Sequence, residues 1–91
     1  MKATLIENLS GWGGEARLYR VDPPMSYGDN QQTEYVVVSA ANVVFSGPET
    51  YIFPANSKAK ILDWLELPGS FRGAIDHARA LEDAGYSINI Q

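Results

Sequence analysis

Hydrolases of the serine or cysteine type need a histidine base beside a nucleophile, oriented by a carboxylate. This chain offers one histidine, His77, and no cysteine. Asp76 adjoins it, but successive side chains on a helix point roughly 100° apart, so the two cannot form that relay. The pattern favours a solvated histidine on the polar face of a helix. Asp63, Glu66 and Asp76 converge, for acid–base work or magnesium binding, only if the loop carrying the first two folds over that helix. Nothing in their spacing requires it, and no D-x-D-x-D-G, H-E-x-x-H or histidine pair is present. No catalytic residue, metal or cofactor is expected. Gly11-Trp12-Gly13-Gly14 invites comparison with phosphate-binding loops, yet those lead into a helix and carry a lysine or hydroxyl at fixed distance. A strand pattern follows here. The segment reads as a hairpin turn with Trp12 folded onto a sheet, the alternative being a binding loop that presents Trp12 outward.

Two tryptophans, five tyrosines and three phenylalanines form a large aromatic complement for 91 residues. Trp64, Phe71 and Tyr51 are most simply core or core-edge residues between sheet and helix, and Phe53 has an interior role on a strand. Trp, Tyr and Arg also dominate interface hot spots. Trp12, Tyr27, Trp64 and Arg72 lie in or beside expected loops and are the candidate binding residues.

These residues must be positioned by a single domain, 1–91, since a chain of this length buries only about two-thirds of its unfolded surface and supports one core. At 45% apolar and 20% charged, the composition is that of a chain that folds. Eleven acidic against seven basic residues give a net charge of -4, which repels phosphate backbones and anionic lipid, so neither nucleic acid nor membrane is an expected partner. The carboxylates are interleaved with Lys58, Lys60, Arg72 and Arg79 and do not make a nucleic-acid mimic. Absence of cysteine fits a reducing compartment. No signal-peptide or membrane-length apolar run occurs, and a cytoplasmic protein is expected.

Along the chain, residues 3–9 and 15–21 alternate as strands around the glycine-rich turn and form a first hairpin, the second strand ending at Asp22-Pro23-Pro24 because proline donates no ladder bond. Residues 23–33 are polar and aperiodic, the pattern of a mobile loop. The unbroken run Tyr35-Val36-Val37-Val38 predicts a central strand covered on both faces. Val43-Val44-Phe45 either continues it past a bulge or forms a short strand of its own. Residues 50–53 and 59–64 predict a second hairpin, and 65–73 a surface loop. Ala74, Ile75, Ala78, Leu81 and Ala84 recur at helical spacing, so an amphipathic helix spans 74–84, with Gly85 as a left-handed cap and Tyr86 folding back on it. Ile88 and Ile90 alternate as an edge strand would. The expected class is α+β: a small antiparallel sheet of about four to six strands with one C-terminal amphipathic helix packed on it.

In its second half the chain carries Ser46-Gly47-Pro48-Glu49-Thr50-Tyr51-Ile52-Phe53-Pro54-Ala55-Asn56, Leu62-Asp63-Trp64, Glu66-Leu67-Pro68-Gly69-Ser70-Phe71-Arg72-Gly73 and Asp76-His77, followed by Ala80-Leu81 and Ala84-Gly85-Tyr86. This pattern, over roughly residues 46–86, resembles a family of small actinobacteriophage, mycobacteriophage-like proteins to which no activity is attached. Where that family carries glycine, this chain has Lys58-Ala59 and Leu65, so its turn is built differently. The resemblance implies a phage accessory protein that acts in the host cytoplasm by binding a host or phage protein, with a homodimer along an exposed sheet edge as a further mode. The rival expectations are a small-ligand binder that sequesters a nucleotide, using Trp12 or Tyr27 with Arg17, Arg20 or Arg72, and a minor virion component.

Overall fold

The computed structural model describes the chain except residues 12–14, 29, 44–46, 65, 68, 74–75 and 90–91, together with the side chains of Asn42, Val43 and Asn89. Its elements are β1 (Lys2–Leu9), β2 (Glu15–Tyr27), β3 (Gln31–Val43), β4 (Gly47–Ala55), β5 (Phe71–Arg72), α1 (His77–Asp83) and β6 (Ser87–Asn89). The strands form one curled six-stranded sheet in the order β5-β4-β3-β2-β1-β6. Sheet dominates this small α+β fold. It is mixed rather than antiparallel: β1 to β5 pair antiparallel in sequence, and β6 joins the far edge parallel to β1. The parallel pair follows from connectivity, because β5 and β6 lie at opposite edges and α1 carries the chain across one face between them.

Side-chain alternation sorts the residues onto two faces. Ala3, Tyr19, Val21, Val36, Val38 and Ile52 face the helix and pack with Leu67, Ala80, Leu81 and Tyr86. Ala16, Leu18, Val37 and Ala55 form a second cluster on the far face, covered in part by Leu9, Tyr35, Ala59 and Ile61. Val36, Val37 and Val38 are all fully buried, as the unbroken apolar run predicts for a strand covered twice.

Several sequence expectations are corrected. Residues 23–33 are not a loop. The strand continues through both prolines after a register shift between Arg20 and Met25, and Met25, Ser26 and Tyr27 pair with Thr33, Gln32 and Gln31. The result is a hairpin arm, closed by Gly28 and Asn30 at positive φ, which runs past the end of β1 at Lys2 and the end of β4 at Ala55. The second hairpin shrinks to one bridge between Ala55 and Ile61. There Asn56 Oδ1 accepts from the amides of Lys58 and Lys60 at 2.9 and 3.0 Å, and Ala59 takes φ 62. The helix begins at His77, N-capped by Asp76, and is seven residues long. Ala74 and Ile75, assigned to it by periodicity, lie outside the described residues, as do Val44 and Phe45. Pairing of β3 with β4 runs from Tyr35–Ala55 to Val43–Gly47 without a bulge.

Candidate functional site: an aromatic strip on the far face

Because strand residues two apart share a face, Glu49, Tyr51 and Phe53 of β4 point together, away from the helix. Arg72 of β5 pairs with Glu49 and so joins the same face. Its Nε lies 3.1 Å from Glu49 Oε2 and donates to Tyr51 Oη at 3.2 Å, while Tyr51 Oη donates to Glu49 Oε1. Glu49 is the buried partner, its side chain 6% exposed against 70% for Arg72. A buried carboxylate needs such partners. The hydrogen bond to Glu49 holds the Tyr51 phenol above its ordinary ionisation range, a tendency that Arg72 opposes. Tyr51 and Phe53 rings lie 6.1 Å apart, tilted by 34°. Phe53 in turn meets Trp64 edge to face at 5.2 Å and 70°, a favourable aromatic geometry.

Trp64 is set in place by the segment that covers the outer edge of β4. Leu62 N donates to Pro54 O at 2.9 Å and Leu67 N to Ile52 O at 2.8 Å, so the segment is tied to the strand on both sides of the tryptophan. Further along, Ser70 Oγ accepts from Ile52 N at 2.9 Å, and Gly73 N donates to Pro48 O at 2.8 Å. These contacts occupy an edge that would otherwise be open to pairing. Trp64 nevertheless leaves 67% of its surface exposed, with Leu62 beside it at 48%. Its core reading is thereby corrected.

Of the four candidate residues, the structure links Trp64 and Arg72 through Phe53 and Tyr51. Tyr27 is elsewhere: half-buried, it packs against the helix-side core. Trp12 lies outside the described residues. Phe71 keeps its core-edge role, packed on the helix-side cluster with the Arg79 guanidinium 4.5 Å from its ring centroid. Sequence reasoning missed Tyr51 and Phe53 as half-buried members of this strip and Glu49 as its buried carboxylate, although their i, i+2, i+4 spacing on a strand was the available signal.

His77 is not solvated. It is 5% exposed, and neither ring nitrogen has a hydrogen-bond partner among the described residues. Glu15 faces it as an opposite charge, with Oε2 4.0 Å from Nε2. Burial, and next Arg17, push its pKa below the ordinary value. Asp76 spends its side chain on Arg79 N at 3.0 Å and stands in no relay with the imidazole. Asp63, Glu66 and Asp76 are all exposed, and no group of three or more acidic or histidine side chains suited to a metal occurs among the described residues. Two open concavities, one at the arm tip (Ser26, Gly28, Asn30, Gln31, Gln32) and one beside Leu9 and Ala16, are separate from the aromatic strip.

No protein-family model, curated protein or solved structure matches the chain. No helix among the described residues is long and apolar enough to cross a membrane.

Proposed function

We infer that this protein is a non-enzymatic binding protein whose contact surface is the strip Trp64–Phe53–Tyr51–Arg72. The observation that carries the reading is the exposed Trp64, held edge-on by Phe53 and tied to the backbone on both sides. A large aromatic kept exposed in a fixed orientation loses little freedom on binding, which is what makes Trp a hot-spot residue. At the other end of the strip, Glu49 and Tyr51 hold Arg72 by its Nε and leave the outer part of the guanidinium to the solvent side. Such an arrangement suits a protein partner better than a small ligand, since the strip lies on an open sheet face. The setting we propose is that of a phage accessory protein acting on a host or phage protein in the host cytoplasm. Its support is the resemblance of residues 46–86.

Self-association belongs to this proposal at a different place. Since β6 pairs only with Lys2, Ala3 and Thr4, the rest of β1 has no outer neighbour among the described residues, and a second copy would add there.

The test is affinity purification of the tagged protein from its host beside Trp64→Ala and Arg72→Ala, with thermal melts of all three. Partner capture is expected to fall about thirtyfold for Trp64→Ala, the equivalent of about 2 kcal/mol, while the melts stay close to wild type. Undiminished capture by both variants sinks the assignment of the surface. A nucleotide that raises the melting temperature of wild type and not of Trp64→Ala would favour ligand sequestration instead.

A further inference from the structure

Helix α1 has three buried residues, His77, Ala80 and Leu81, so the only large aliphatic anchor in the helix is Leu81 and one of its three contacts with the core is ionisable. A neutral imidazole is tolerated there at the cost of two unmade hydrogen bonds. A protonated one is not. It would be a buried cation in the first turn of a helix, where the macrodipole is positive. The charged groups around it are Arg17 and Glu15 from β2 and Asp76 at its own N-cap. From β4 comes the neutral Thr50, whose hydroxyl accepts from Asp76 N at 3.1 Å. Among the described residues Glu15 is the one carboxylate within ion-pair reach, but its side chain is 66% exposed and 4.0 Å away, so water screens the attraction. Burial and Arg17 outweigh it.

We propose that α1 is an acid-released flap: protonation of His77 lifts the helix from the sheet and uncovers the apolar face around Val38, Ile52 and Leu67, while the strands stay paired. The separation of helix from sheet rests on how differently they are held. Strands β2 and β3 are hydrogen-bonded on both sides through most of their length, whereas α1 is held by a few side chains and its caps. Local opening of such an element costs less than global unfolding. The sign follows from the proton balance. His77 binds its proton more weakly in the docked state than in the released one, so docking is complete above about pH 6.5 and weakens as pH falls from there through the docked-state value.

Two measurements on the full chain test this. Proton NMR of the single imidazole follows its titration, and amide exchange at Ala80 and Ala84 from pH 7.5 to pH 5, corrected for intrinsic rates, follows α1 against the amides of β3. The expected result is a His77 midpoint below 6.5 and an opening constant for α1 that rises at least about tenfold over that range while β3 is unchanged. In His77→Leu the rise should vanish. If that variant fails to fold, His77→Gln supplies the uncharged side chain. Glu15→Gln should move the midpoint lower still. A midpoint at or above 6.5, joint opening of helix and strands, or an acid response that persists without the imidazole would overturn the proposal.

Discussion

Tyr51 shows how much a single hydroxyl can organise. It donates to the buried Glu49 carboxylate and accepts from Arg72, so one phenol links the aromatic strip to the charged end of the site. A carboxylate acceptor favours the protonated phenol, and the Tyr51 pKa accordingly lies above the ordinary 10.0. Replacing the acceptor's charge should undo this. In Glu49→Gln the Tyr51 ionisation, read by ultraviolet difference absorbance against a Tyr51→Phe blank, is expected to move down toward its ordinary range. An unchanged midpoint would mean that the carboxylate does not control the ring. Trp64 contrasts with this. Being mostly exposed, with one face edge-on to Phe53, it buries little area, and Trp64→Ala should cost only about 1 kcal/mol of stability, well short of the roughly 3 to 5 kcal/mol of a core tryptophan.

At the scale of elements, two left-handed residues make opposite predictions. Gly85 closes α1 with φ 97, its N–H donating to Glu82 O and the N–H of Tyr86 to Leu81 O, both at 2.9 Å. This is a Schellman cap, and Tyr86 is buried as its hydrophobic partner. Gly85→Ala should destabilise by about 1 kcal/mol through the β-carbon penalty. The added Cβ would lie 2.9 Å from Met1 Cε, the movable end of a flexible side chain, so conformation rather than crowding sets the cost. Ala59 is the converse case. It holds φ 62 without being glycine. Ala59→Gly relieves that strain and lengthens the list of states open to the unfolded chain, and the first effect is the larger at a left-handed position. A net gain of up to about 1 kcal/mol is expected in denaturant melts. A loss of stability in Ala59→Gly would mean that the left-handed backbone at this turn carries no strain for glycine to relieve.

For the molecule as a whole, the alkaline limb of stability should be set by tyrosine. Burial raises the Tyr86 pKa, with Asp22 adding to it, and its hydroxyl donates to Pro23 O at 2.7 Å, joining the end of α1 to β2. Tyr51 is raised as well. Both keep their protons in the folded state at a pH where the unfolded chain has lost them. Their contribution is therefore complete below about pH 10 and is lost as pH rises through the folded-state values. Urea melts between pH 8 and pH 11 should show stability falling above 10, with a shallower fall in the Tyr51→Phe, Tyr86→Phe double variant. An equal slope in that variant would assign the limb to other groups. The two ends of the pH range thus act on different parts of the fold, acid on the N-terminus of α1 and alkali on its C-terminal tie and on the aromatic strip.

The features readable in the amino-acid order are those governed by neighbours. The buried run Val36–Val38 marked a strand covered on both faces, alternation in residues 3–9 and 15–21 marked the first hairpin, and Gly85 marked the end of the helix. Each depends on local sterics or a short period. Features that depend on distant partners were decided only by the tertiary structure. The stripe Ala74, Ile75, Ala78, Leu81, Ala84 has a helical period, but so does the set facing the sheet, His77, Ala80, Leu81 and Ala84. Alanines weigh too little to choose between the two rotations. The choice falls to where β5 ends and β6 must begin, and it turned His77 inward and left Ala78 exposed. The same holds for residues 23–33, whose polar side chains gave no strand period although the backbone could still pair across Gly28–Asn30. Likewise Trp64 was ambiguous by type, since a tryptophan serves a core or an interface equally well. What left it on the surface was a backbone tie on either side to Pro54 and Ile52, a long-range pairing that has no local signature.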